Sequence, residues 1–193
     1  MKVKRTMSTK DMTKAMFAEA LVELLHSVPF KKITVKMLAD SCSVPRQTFY
    51  YHFHDKFELV NWIYSSDVEK VMSENSSEPW STVTYLFFQK LNEKRAFYKK
   101  VLVESGQNSL LEHSHTYFVS LYLNSLSQFG TFPINKDLEF FMNYHAFACS
   151  NMTRQWLLNE PFDTPEEHNR KTLSAMPQML YDELTRADIS LAT

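Results

Sequence analysis

A chain of 193 residues, 44% hydrophobic with 15 Phe, has apolar material for an ordinary domain plus a small one; its two glycines disfavour phosphate-cradling loops, dinucleotide turns and meandering sheets. The net charge of −1 hides a split, because residues 1–58 hold ten Lys/Arg against six Asp/Glu while residues 59–193 hold eleven against sixteen, so a polyanion-binding module joined to an acidic remainder is expected. Apolar runs such as Leu21-Val22-Glu23-Leu24-Leu25 are broken by charge, the start Met1-Lys2-Val3-Lys4-Arg5 leads into polar residues, and Cys42 and Cys149 make no disulfide framework, so a cytoplasmic chain with no membrane span is expected.

Helical periodicity dominates the chain. Phe17, Ala20, Leu21, Leu24 and Val28 form one stripe on a helix over about 9–27, which Pro29 ends. Thr34 is placed to cap a short second helix whose Val35, Leu38, Ala39 and Cys42 face inward. Pro45 can occupy the first turn of a third helix over 46–53, where its missing N–H costs nothing, and Phe49 and Phe53 then point at the first two helices. Asp55 and Glu58 read as an acidic capping box opening a longer fourth helix that carries Leu59, Trp62, Ile63 and Val68. Further helices are expected near 80–93, 95–104, 108–129, 136–159 and 165–186, separated at Pro79, Gly106, Gly130/Pro133 and Pro161/Pro165, with Pro177 kinking or splitting the last. The fold class is all-α, with a helix-turn-helix unit over 1–58 (the motif itself at about 33–53) and a helical remainder over 59–193.

Asp40-Ser41-Cys42-Ser43-Val44 is a connection of the length that joins two helices into a helix-turn-helix. The third helix would expose Arg46, Gln47, Thr48, Tyr50, Tyr51 and His52. Arg suits guanine O6/N7 and Gln suits adenine N6/N7, while Thr and Tyr reach phosphates or thymine methyls. Lys36 and Lys56 lie where phosphate contacts would set the register, and Lys2, Lys4 and Arg5 could extend them as an arm.

Phe30-x-x-Ile33-Thr34-Val35-x-x-Leu38-Ala39, followed by Val44-x-x-x-Thr48-Phe49-Tyr50-Tyr51-His52-Phe53-x-Asp55-Lys56-x-x-Leu59, resembles the N-terminal domain of TetR-family transcriptional regulators over residues 9–62. The resemblance implies DNA contacts from Thr34, Lys36, Arg46, Gln47, Thr48, Tyr50, Tyr51, His52 and Lys56. Two departures stand out: Ser43 replaces the family's usual turn Gly, which asks Ser to take positive φ, and Pro45 replaces the usual capping Ser. Arg46-Gln47-Thr48-Phe49-Tyr50 with Glu58-Leu59-x-x-Trp62-Ile63 is also similar to one branch, the activators of dihydroxyacetone-kinase operons.

The resemblance further implies a homodimer on a palindromic operator, joined by the last two helices of each chain and switched by a small molecule or a protein co-regulator. Phe140, Phe141, Tyr144, Ala148, Met152 and Trp156, with Leu173, Met176, Leu180 and Leu184, are the interface candidates, and filling a monomer core is the alternative use. An effector pocket would draw on Phe87, Phe97, Tyr98, Tyr117, Phe118, Tyr122, His145 and Met152, each of which could equally be core. A ligand there would tilt the fourth helix and change the separation of the recognition helices.

Enzyme readings find little support. In Glu112-His113-Ser114-His115 the two imidazoles would point about 200° apart on a helix, so they cannot share a metal. No G-x-S-x-G elbow occurs and neither cysteine has an evident base beside it, so no catalytic residue, metal or cofactor is expected. Glu166 and Glu167 suit a helix start. A helical adaptor that has lost DNA binding is the alternative function, and Arg46, Gln47, Tyr50 and Lys56 speak against it.

Overall fold

The computed structural model describes residues 8–104, 109–129, 134–160 and 163–191. The predicted arm of Lys2, Lys4 and Arg5, and the breaks at Gly106, Gly130, Pro133 and Pro161, lie outside the described residues. Among the described residues there are ten α-helices, one 3-10 turn and no strand, and the chain divides into two compact units between Ile63 and Tyr64.

The first unit is built from α1 (Thr9–Ser27), the 3-10 turn Phe30–Lys32, α2 (Val35–Ser41), α3 (Arg46–His52) and the start of α4 (Lys56–Glu74). Ser8 caps α1 by accepting from the Asp11 N–H, and α1 ends at Val28 in extended backbone just before Pro29. Its buried residues are Phe17, Ala20, Leu21 and Leu25. Leu24, expected on the inward stripe, is half-buried instead, because the contact line runs through 17, 21 and 25, every fourth residue. Thr34 caps α2 by accepting from the Met37 N–H at 3.2 Å, as its position predicts. Ser43 takes φ 55°, the strained left-handed turn that its place between α2 and α3 demands.

Pro45 is the residue before α3 rather than its first helical position, and its carbonyl accepts from the Thr48 N–H at 2.9 Å. Phe49 and Phe53 are buried, and the Phe49 ring meets that of Phe17 edge-on at 5.1 Å, so α3 is anchored on α1 as expected. Asp55 accepts from the N–H groups of Phe57 and Glu58 and opens α4. The Glu58 carboxylate returns to the N–H of His54, one residue earlier than the capping box predicts.

The second unit begins on the later turns of α4, whose Tyr64, Asp67, Val68 and Val71 are buried. It continues through α5 (Trp80–Glu93), α6 (Arg95–Val101), α7 (Leu110–Phe129), α8 (Lys136–Leu158), α9 (Pro165–Ser174) and α10 (Gln178–Leu191). Helix α6 is shorter than the predicted 95–104, because Leu102 closes it by donating to Tyr98 O. The predicted 165–186 helix is two, α9 and α10, split at Pro177, whose carbonyl accepts from the Leu180 and Tyr181 N–H groups in the first turn of α10. Thr164 and Glu167 form a reciprocal capping box at the start of α9. Helix α5 packs on α9, α7 on α8, and α10 against α5, α7 and α8. No described helix is long and apolar enough to cross a membrane.

Candidate nucleic-acid interface

Helix α3 turns one face to solvent. Arg46, Gln47, Tyr50 and Tyr51 are exposed, and at 100° per residue they share one side of the helix, away from the buried Phe49, while Phe53, just past the helix in extended backbone, is buried too. Tyr50 and Tyr51 are 57% and 78% exposed, which no packing argument explains for rings of that size. Thr34 and Lys36 are exposed at the start of α2, while Thr48 and His52 are half-buried on the flank of α3. The His52 pKa is lowered by burial first, then by the charges of Lys14 and Lys10, so its ring is neutral at pH 7.

Lys56, expected at a phosphate, makes hydrogen bonds within the first unit. Its Nζ donates to the carbonyls of Phe30, Ile33 and Lys31 at 2.7, 2.9 and 3.1 Å, and lies 4.6 Å from the Phe30 ring centroid. The ammonium thus closes the 3-10 turn, a role set by a contact 23 to 26 residues away that no local pattern reveals. Lys56→Met should lower the unfolding free energy of the DNA-free protein by about 1–3 kcal/mol in urea titrations, since two part-buried carbonyls lose a charged donor. A variant of unchanged stability that loses one phosphate's worth of salt dependence would restore the phosphate role. Lys31 and Lys32, passed over as spacer positions in the Phe30–Ile33 stretch, are exposed on that same turn. Their signal was the charge itself, adjacent to the helix-turn-helix.

Among the described residues, the two cavities do not bring the expected pocket residues together. Phe87, Phe97, Tyr98, Phe118 and Tyr122 are buried, and they pack on one another in edge-on or tilted pairs such as Phe87–Phe118 at 5.6 Å. Tyr117 is half-buried and tilted against His113, which shares a 2.8 Å hydrogen bond with Ser65 Oγ. Tyr98 and Phe118 border a cavity of about 20 Å³, room for a single water. His145 and Met152 lie elsewhere, on a groove of about 400 Å³ between α8 and α9. His145 is held between Tyr122 OH at 2.8 Å and the Thr172 carbonyl at 3.2 Å. Among the described residues, no three His, Cys, Asp or Glu side chains gather in a metal-binding group.

Two clusters in this unit had no sequence signal. Asp67 receives Lys94 Nζ at 2.6 and 2.9 Å and Tyr98 OH at 2.8 Å. His168 stacks on Trp156 at 4.5 Å with 8° between planes, meets Phe88 edge-on at 4.7 Å, and shares a 3.2 Å hydrogen bond with Thr153 Oγ1. Burial, set against the nearby Asp163, lowers the His168 pKa to about 4. The folded state therefore resists a proton that the unfolded chain takes up near pH 6.5. Stability is full above pH 6.5 and is lost as pH falls towards 4, by up to about 3 kcal/mol. His168→Phe keeps the ring stack and should flatten the acid limb of Tm against pH; a residual slope remains, because His113 and His145 are lowered in the same sense. An unaltered acid limb would show that His168 does not govern it.

A longer α1 supporting two seven-residue helices, the second anchored and facing outward, joined to a larger helical unit, defines a helix-turn-helix regulator. A profile described as "Bacterial regulatory proteins, tetR family" matches residues 18–63, and one described as "Transcriptional regulator C-terminal region" matches residues 78–178, more than half of the chain. The chain belongs to the TetR family of DNA-binding transcriptional regulators. It is 26% identical over 156 residues to the HTH-type dhaKLM operon transcriptional activator DhaS of Lactococcus lactis subsp. lactis (strain IL1403), covering 76% of this chain and 80% of that protein. The solved structure of the dihydroxyacetone kinase operon activator DhaS has the same fold, with TM-score 0.61, 21% identity, and 86% of this chain and 94% of that one covered. So has a TetR transcriptional regulator from Streptococcus agalactiae 2603V, with TM-score 0.62, 16% identity, and 88% and 96% covered.

Proposed function

We propose that two copies of this chain bind a palindromic operator, each laying α3 in the major groove, and that the second unit receives the controlling signal. The outward face of Arg46, Gln47, Tyr50 and Tyr51 over the buried Phe49 and Phe53 carries this reading, since a core helix would not leave four such side chains in water. Thr34 and Lys36, with Lys31 and Lys32, supply phosphate contacts around it. Thr48 and His52 border the same face. The relation to DhaS supports a further step, in which this protein activates an operon of the dihydroxyacetone-kinase type.

Anisotropy titrations with DNA from the protein's own upstream region test the proposal. Binding should weaken with salt by about 0.9 in log K per log salt for each phosphate contact. Arg46→Ala should cost about 1–3 kcal/mol and relax the preference at one operator position. Affinity indifferent to salt, or an Arg46→Ala loss equal on all sequences, removes the base-reading role. A promoter fusion that falls silent when this gene is deleted supports activation, and one that rises marks a repressor.

A further inference from the structure

The groove between α8 and α9 has apolar walls and one polar atom to spare. It measures about 400 Å³, the scale of a small-molecule site, and Ala148 and Met152 of α8 face it together with Ala175 at the end of α9. It opens about 100° round α8 from the Phe140–Tyr144 pair, a different face from the one offered for dimerisation. Of the side chains expected to line an effector pocket, only His145 and Met152 border it.

Most of the hydrogen-bonding capacity at its floor is already spent. His145 uses one ring nitrogen on Tyr122 OH and the other on the Thr172 carbonyl, and Thr172 Oγ1 donates to the Asn169 carbonyl at 2.9 Å. At the rim, Lys171 and Asp163 neutralise each other at 2.6 Å. His168 is the exception. Its ring is 4% exposed and cannot turn, being stacked on Trp156, set edge-on to Phe88 and tied through Nε2 to Thr153 Oγ1. Its Nδ1 has no hydrogen-bond partner among the described residues and is not sealed from solvent, and the ring borders the groove, so this one nitrogen is presented to it. We propose that the α8–α9 groove binds an uncharged aromatic molecule of the phenol class, whose hydroxyl meets His168 Nδ1. The groove is separate from the operator face and its test contains no DNA, so this proposal and the operator reading can fail independently.

The chemistry of the groove selects this class. Burial lowers the His168 pKa to about 4, so the imidazole is neutral at pH 7, and a hydroxyl, which both donates and accepts, meets Nδ1 in either tautomer. A carboxylate or an ammonium would give up its hydration for a floor whose nearby charges, Lys171 and Asp163, are already paired. The aromatic body follows from the walls. The Met152 side chain is 54% exposed, its thioether makes favourable contacts with ring edges, and Tyr144 presents a second ring at the groove's end. One polar point on an apolar surface lets the body of the ligand supply affinity while a single hydrogen bond sets its orientation.

Equilibrium dialysis of the full chain against 2-naphthol at pH 7 is the test, with naphthalene and 2-naphthoate as comparisons. 2-Naphthol should bind once per chain, about tenfold more tightly than either comparison. His168→Phe, which keeps the ring stack, should weaken 2-naphthol binding about tenfold and leave naphthalene binding unchanged, a split that a purely structural role would not produce. Ala175→Phe, at an exposed position, should fill the groove and weaken both. In the unaltered chain, the Met152 methyl resonance, identified among those of the ten methionines by Met152→Leu, should shift as 2-naphthol is added. Equal affinity for 2-naphthol and naphthalene, or unchanged 2-naphthol binding by His168→Phe, removes the hydroxyl contact and overturns the proposal. Tighter binding of 2-naphthoate overturns the uncharged class. An unmoved Met152 methyl, or no binding at about one millimolar 2-naphthol, overturns the site itself.

Discussion

Phe49→Ala should remove about 3–5 kcal/mol from the stability of the first unit, read as faster hydrogen exchange of the α1–α3 amides in the full chain. The ring is wholly buried at 0% exposure and meets Phe17 at 5.1 Å and Phe53 at 5.5 Å, so its loss leaves a cavity that three short helices cannot close. Operator affinity should fall with it, because α3 has only seven residues and depends on this anchor for its shape. Tyr50→Ala is the contrast: one position along and 57% exposed, it should change stability by no more than about 0.5 kcal/mol yet still weaken operator binding. If Phe49→Ala keeps its exchange protection, packing is not what holds α3 outward. If Tyr50→Ala binds DNA normally, the exposed face is not the reading face.

Removing Asp67 should destabilise the second unit. The carboxylate is 7% exposed and joins α4 to Lys94, at the junction of α5 and α6, and to the phenol of the fully buried Tyr98. Burial and the neighbouring Asp67 push the Tyr98 phenol well above its ordinary pKa, so it stays a donor in need of an acceptor. Asp67→Ala leaves that buried hydroxyl without its acceptor and removes the partner of the part-exposed Lys94, at a cost of about 1–3 kcal/mol in urea unfolding. Lys94→Met should be destabilising alone and far less so in an Asp67→Leu background, because both members of the pair are then gone. Equal effects of Lys94→Met in the two backgrounds would mean that the ion pair contributes no coupling.

Much of the exposed α3 surface proposed to face DNA is legible because its signals are local. A seven-residue helix with Phe49 inside it and Phe53 directly after it declares its inner side, and the remaining polar and aromatic positions then face out. The neighbours of Lys56 in sequence point only to a phosphate contact, and the hydrogen bonds of its ammonium across the fold to the 3-10 turn have no local signal. The aromatic residues of the second unit show the same limit. Phe87, Tyr98 and Tyr122 could line a pocket or fill a core, and helical spacing is identical for both. Their mutual contacts and the 2.8 Å bonds of Tyr98 to Asp67 and of Tyr122 to His145 are tertiary facts that helical spacing does not carry.

By itself the amino-acid order determined where helices begin and end: Thr34 and Asp55 supply capping oxygens, Pro29, Pro45, Pro79 and Pro177 forbid continuation, and the turn at Ser43 follows from the spacing of two amphipathic stripes. These are short-range matters of backbone sterics and hydrogen-bond supply. Tertiary structure alone decided which partner each buried polar group meets and where the surface stays concave. The Asp67–Lys94 pair spans 27 residues, and the α8–α9 groove opens between helices whose relative placement depends on how α5 and α7 pack behind them. No one-dimensional period carries that information, because it arises from close packing among side chains distant in the chain.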